Sequence, residues 1–123
     1  MKTTQGKTIS AFSALAGLSR KPMNSFTAYK LFKLKKALAP VIEFQSEQEE
    51  KLVAEHGGKI TENGQIMIAD PEKRQAFNAA HRELGELECD VDIPGKISVA
   101  MKEITDISVA DMEALDDFIE WRE

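Results

Sequence analysis

The clearest pattern in the chain is a repeat of Leu31, Leu34, Leu38, Val41, Gln45, Gln48 and Leu52, with spacings of 3 and 4 in alternation. That spacing is the seam of a helix packed lengthwise on another, in the manner of a coiled coil. Pro40 falls inside the run, where it removes one backbone donor and crowds the preceding turn, so a kink near Lys36 or a break into two helices is expected. The heptad phase continues across it, which favours the kink. Asn24 or Ser25 supplies the N-cap, and Glu47 with Lys51 adds a favourable pair on the second half. Gly57-Gly58 closes the helix, because glycine takes the left-handed cap conformation at little steric cost.

A hairpin is predicted next, from Ile60 through Asn63-Gly64 to Ile66-Met67-Ile68, with Asn-Gly read as a tight two-residue turn whose positions both take positive φ. Asp70-Pro71 then opens a helix, Asp as N-cap and Pro at the first helical position. Its Phe77, Ala80, Leu84 and Leu87 match the spacing of the long seam, so the two helices are expected to form an antiparallel helical hairpin with the β-hairpin at its tip. From Glu86 to Ile93 the period changes to alternation. Leu87, Cys89, Val91 and Ile93 face one way; Glu86, Glu88, Asp90 and Asp92 face the other. After Pro94-Gly95, Ile97, Val99 and Met101 read as a further strand. These two strands pair as a second hairpin or join the first one in a small sheet. Ser108 with Asp111 resembles a capping box, and the last helix presents Met112, Leu115, Phe118 and Ile119 on one face, with Trp121 at its end as an anchor or an exposed ring.

At the beginning of the chain, Ile9, Phe12, Leu15 and Ala16 lie at helical spacing and predict a short docked helix. Lys2 and Lys7 before a mildly apolar stretch, with Ala14-Leu15-Ala16, have some features of a secretory leader, but Ser10 and Ser13 dilute the apolar core such a leader needs. Residues 1–7 are open to disorder. Together these elements predict a single α+β domain over 1–123.

Composition adds two constraints. The chain has 123 residues, of which 42% are hydrophobic and 30% charged, the profile of one small globular domain without a membrane-spanning segment. Its single cysteine, Cys89, excludes an internal disulfide, so packing alone must hold the fold, as expected in a reducing compartment. The net charge of -5 is unevenly distributed. Residues 1–40 carry eight bases and no acid; residues 41–123 carry eight bases and all 21 acids. Such a division is balanced inside one fold, guides a partner onto one end, or joins one copy to another, so an oligomer is a natural expectation.

Candidate chemistry is sparse. Glu86, Glu88, Asp90 and Asp92 lie in a line along a strand rather than around a point, which fits a solvated face better than a cation site. Neither His56 nor His81 stands in zinc-ligand spacing with Cys89, so no metal is expected. Cys89 with His81 is the conceivable nucleophile pair, yet Cys89 falls on the apolar side of its strand. Gly6-Lys7-Thr8 resembles the tail of a phosphate-binding loop, but the loop's first glycine would fall at Met1. The sequence therefore reads as a non-enzymatic protein without a cofactor. Phe26, Tyr29, Phe32 and Phe44 add more apolar surface beside the seam than a two-helix contact needs, and they are the candidate protein interface. Lys30, Lys33, Lys35 and Lys36, interleaved with Tyr29 and Phe32, form the alternative, a basic stripe for nucleic acid, set against an overall pI of about 5.1.

The short helix Ile9 to Leu18, the Pro22 link, Ala28-Tyr29-Lys30-Leu31, the run Glu47 to Leu52 ending at Gly57, the Phe77 to Leu87 helix, Val91-Asp92-Ile93-Pro94 and Asp111-Met112-Glu113-Ala114-Leu115 together resemble a small uncharacterised protein family of tailed phages and prophages. That resemblance implies a protein that works by binding protein, in the bacterial host cytoplasm or in the virion. A virion or tail-assembly component and a factor engaging a host protein, such as a defence complex, are both compatible with it. It transfers no site residue.

Overall fold

The structure, a computed structural model, describes residues 1–104 and 106–123. Its element order is β1 (Lys2–Thr4), α1 (Gln5–Leu18), α2 (Ser25–Glu55), β2 (Lys59–Ile60), β3 (Ile66–Met67), α3 (Pro71–Glu86), β4 (Glu88–Asp90), β5 (Ile97–Ala100), a 3-10 turn (Met101–Glu103), α4 (Val109–Leu115) and β6 (Ile119–Arg122). This is the α+β fold that the periodicity predicts, organised around a long helix.

Asn24 caps α2, its side chain accepting a bond from the Thr27 amide, and the helix runs for 31 residues without interruption at Pro40. Pro40 and Lys36 both lie on the exposed side of α2, so the Lys36 carbonyl that loses its amide partner faces water rather than the core. Leu31, Leu34, Leu38, Val41 and Gln45 are buried as the seam requires. Two different helices cover that seam. The first half packs on α1, while the second half packs antiparallel on α3, with Glu49 against His81 and His56 against Phe77. A regular heptad repeat reports that a face is buried, not that one partner buries all of it. Beyond Gln45 the fully buried position moves from Leu52 to Val53, the drift expected of a straight 3.6-residue helix followed by a 3.5-residue repeat.

The end of α2 is built on two glycines. The Gly57 amide bonds to the Ala54 carbonyl at 3.2 Å and the Gly58 amide to the Val53 carbonyl at 2.8 Å, with Gly57 at φ +69°. That crossed pair satisfies carbonyls the helix would leave open. In the β2–β3 hairpin, only Gly64 takes positive φ; the Thr61 amide bonds to the Gln65 carbonyl at 2.8 Å and the Gly64 amide to the Thr61 carbonyl at 2.9 Å. The loop is thus a three-residue turn with Gly64 in the left-handed position, not the two-residue turn expected from Asn-Gly.

α1 is the central element, touched by α2, α3, α4 and β1. Its buried side is Gln5, Thr8, Ala11, Ala14, Leu15 and Leu18, whereas Ile9 and Phe12 lie on the flank and Ala16 is exposed. Sequence periodicity locates the helix but not this face, because crowding by several elements selects small side chains such as Ala11 over large ones. The main core joins Ala11, Ala14, Leu15 and Leu18 to Leu31, Leu34, Leu38, Val41, Val91, Val99, Ile104, Leu115, Phe118 and Ile119. Phe77 is buried apart from it, with His81 stacked at 5.4 Å, His56 edge-on at 6.0 Å and the Arg74 guanidinium 5.6 Å from its centre.

The strands differ from the expected pattern in three ways. First, β1 pairs antiparallel with β4 in the register Lys2–Asp90, Thr3–Cys89, Thr4–Glu88, and Thr4 caps α1. A three-residue strand whose partner lies more than eighty residues away leaves no local signature. The Met1 amino group bonds to Asp90 at 2.9 Å, and that contact, with its positive charge, holds the Asp90 carboxyl below its ordinary range. Second, β4 and β5 neither pair with each other nor join the first hairpin; β5 lies parallel to β6. Third, α4 stops at Leu115, and 119–122 is strand rather than helix, with Ile119 opposite Ile97 and Trp121 opposite Val99. The apolar positions Leu115, Phe118 and Ile119 suit a helix by spacing, and tertiary pairing with β5 decides otherwise. The alternation of Cys89, Val91 and Ile93 inward against exposed acids holds, except that Leu87 is exposed and caps α3.

Candidate interaction groove

Between α1 and the first half of α2 the structure leaves a half-open groove of about 470 Å³. Phe12, Leu15 and Leu18 form its α1 wall, Ala28, Leu31, Phe32 and Ala39 its α2 wall, and Met23 its end. Three lysines, Lys21, Lys35 and Lys36, stand among the lining residues. The local sequence explains the shape. α1 and α2 are joined by a short link through Pro22, and the small side chains of Ala28 and Ala39 leave the space that larger residues at those positions would fill.

The lysines differ in their surroundings. The Lys35 ammonium lies 5.4 Å from the centre of the Phe12 ring, spanning the groove from one helix to the other. Lys36 is exposed, and Lys21 donates to the Asp106 carbonyl at 2.6 Å. At the same end Asn24 bonds to Glu103. Among the described residues no carboxylate pairs with Lys35 or Lys36. The far end of the groove is therefore its more positive end.

The four aromatic residues expected at an interface are all exposed: Phe26 82%, Tyr29 61%, Phe32 53% and Phe44 42%. They do not form one patch. Phe32 lines the groove and Tyr29 stands beside it one turn earlier, with Lys33 stacked 5.5 Å over its ring. Phe26 and Phe44 share a different flank of α2 and lie about 27 Å apart along its axis. The groove walls Leu15, Leu18 and Met23 were outside the expected set, since their apolar spacing reads equally as core.

The basic stripe is likewise divided. Lys30 is drawn in to donate to the Ser98 carbonyl on β5 at 2.9 Å, and Lys35 turns toward Phe12. Lys33 and Lys36 alone of the four project as exposed side chains.

Elsewhere, Cys89 is half-buried with its sulfur 3.6 Å from the Thr8 hydroxyl, which in turn donates to the Thr4 carbonyl. His81 donates from Nε2 to Glu49 at 2.9 Å, and His56 donates from Nδ1 to the Leu52 carbonyl at 2.7 Å, so each histidine has a packing partner in the α2–α3 hairpin. Among the described residues no three of His, Cys, Asp and Glu gather in a metal-binding group. Gly6 and Lys7 border a shallow polar depression against α4, where Lys7 pairs with Asp117 at 3.2 Å. No helix among the described residues is long and apolar enough to cross a membrane.

Comparison with protein-family models, characterised proteins and solved structures returns no match for this chain.

Proposed function

We propose that the chain is a non-enzymatic protein-interaction protein, and that it engages its partner through the α1–α2 groove and the adjoining Tyr29–Phe32 ridge. The observation that carries this reading is the joint exposure of Tyr29 and Phe32 at the edge of a groove whose floor is the buried core residues Leu15, Leu18 and Leu31 and whose rim includes Phe12 and Ala28. Aromatic rings in water beside an unfilled apolar cleft make a favourable docking surface, because their burial on binding gains free energy that folding has left unused. The phage or prophage origin belongs to the same proposal and is supported by the sequence resemblance alone.

A photo-activatable amino acid placed at position 32, compared with one at the exposed hairpin residue Glu62, tests it in cells producing the chain. A discrete cross-linked protein from position 32 and none from position 62 is expected. Identical products from both positions, or none from position 32, contradicts the reading.

A further inference from the structure

Resting on that reading, we infer that the occupant of the groove is an amphipathic helix of a different protein, with acidic residues along the edges of its apolar face. Shape gives the first half of the argument. The cleft lies between two helices and follows α2 from Ala28 to Ala39, which is about 16 Å or three helical turns. A third helix with anchors at i, i+3 or i+4, i+7 and i+11 matches that length. Its contact would extend past the cavity onto Tyr29, which lies outside the groove lining and would be left bare by a small amphiphile.

Charge gives the second half. Residues 1–40 contain eight bases and no acid, so both helices framing the groove are free of negative side chains as far as Ala39. Lys35 and Lys36 have no carboxylate partner among the described residues. A second copy docked about a two-fold axis would bring this cationic face against itself, which costs free energy by like-charge repulsion. A partner helix carrying Glu or Asp opposite Lys35 and Lys36 supplies the missing charges instead. At the Met23 end the chain supplies a carboxylate of its own, Glu103, which accepts from Asn24, so the occupant's charge matters less there.

The test uses three fluorescent synthetic helices of about 16 residues, one turn longer than the face they must cover. One carries leucine anchors with glutamates, the second the same anchors with lysines, and the third the glutamates with serine in place of the anchors. Binding to the full chain is read by fluorescence anisotropy at low and high salt. The acidic leucine helix is expected to bind about tenfold tighter than the basic one at low salt, a difference of about 1.4 kcal/mol. The preference should shrink at high salt and invert in a Lys35→Glu, Lys36→Glu double variant. Ala28→Trp, which fills the groove from an exposed position, should abolish binding of both leucine helices while circular dichroism stays unchanged.

Equal binding of the acidic and basic helices overturns the charge assignment. Absence of binding by all three overturns the helical occupant. Neither result removes the cross-link expected at position 32, so failure here is distinguishable from failure of the functional reading. A concentration-dependent dimer that Ala28→Trp dissolves, or duplex DNA or dodecanoate that displaces the acidic helix at lower concentration than it binds, also overturns the inference.

Discussion

If the Tyr29–Phe32 ridge serves binding rather than folding, truncating its rings must cost little stability, in proportion to how much of each ring is covered. Full burial of a phenylalanine or similar side chain contributes about 1.5 to 3 kcal/mol. Phe26 is 82% exposed, so Phe26→Ala removes only about a fifth of that, below about 0.6 kcal/mol. Tyr29 and Phe32, at 61% and 53% exposed, should cost about 1 kcal/mol each, partly offset by the better helix propensity of alanine, worth about 0.5 kcal/mol. Leu34, two residues after Phe32 and 0% exposed, is the control: Leu34→Ala leaves a cavity and should cost about 2 to 5 kcal/mol. For a chain of this size 1 kcal/mol moves the melting temperature by about 3 to 6 °C, so the ridge variants should melt within a few degrees of the parent. Leu34→Ala should fall by about 6 to 30 °C. Urea unfolding followed by the fluorescence of Trp121, the single tryptophan, measures the series, since β6 packs on the main core and reports its loss. Phe26→Ala or Tyr29→Ala destabilising as strongly as Leu34→Ala would refute the reasoning, because those rings would then be holding the fold together.

Other outcomes follow from single positions. Gly58→Ala would place a methyl group 2.6 Å from Ile68 Cγ1 and 2.9 Å from the Met67 carbonyl oxygen. It should destabilise by about 1 to 3 kcal/mol in the same urea assay, by forcing the end of α2 away from β3. Gln45 is 4% exposed and its Oε1 has no partner among the described residues, so Gln45→Leu should raise stability by about 1 kcal/mol despite losing the bond from Nε2 to Glu49. Pro40→Ala restores a donor for the Lys36 carbonyl on an exposed face of α2 and should stabilise by about 1 to 3 kcal/mol, read as a higher melting temperature.

Local signals carried far in this chain. The Asp70-Pro71 start, the Gly57-Gly58 stop and the Leu31 to Gln45 seam are each encoded within a few residues and stand where the sequence puts them, and of the two candidate caps, Asn24 and Ser25, the structure uses Asn24. What failed to show was pairing over distance. β1 finds β4 and β5 finds β6 through backbone bonds that leave no trace in side-chain spacing, so a strand at Lys2–Thr4 and another at Ile119–Arg122 are visible only once the core is assembled. The groove follows the same logic. Phe32 and Tyr29 stand out as excess apolar surface on α2, but that a cleft opens beside them depends on how α1 lies against Ala28 and Ala39, a matter of tertiary packing.

The most direct test of the central claim is a nuclear magnetic resonance titration of the isotopically labelled chain with the acidic leucine helix. The account predicts shift changes confined to the groove and its ridge, at Leu15, Leu18, Met23, Ala28, Phe32 and the side chains of Lys35 and Lys36, with His81, Gly64 and Asp117 unmoved. Changes centred on the depression beside Lys7 and Asp117, or on the basic flank around Lys33 without the groove residues, would contradict it.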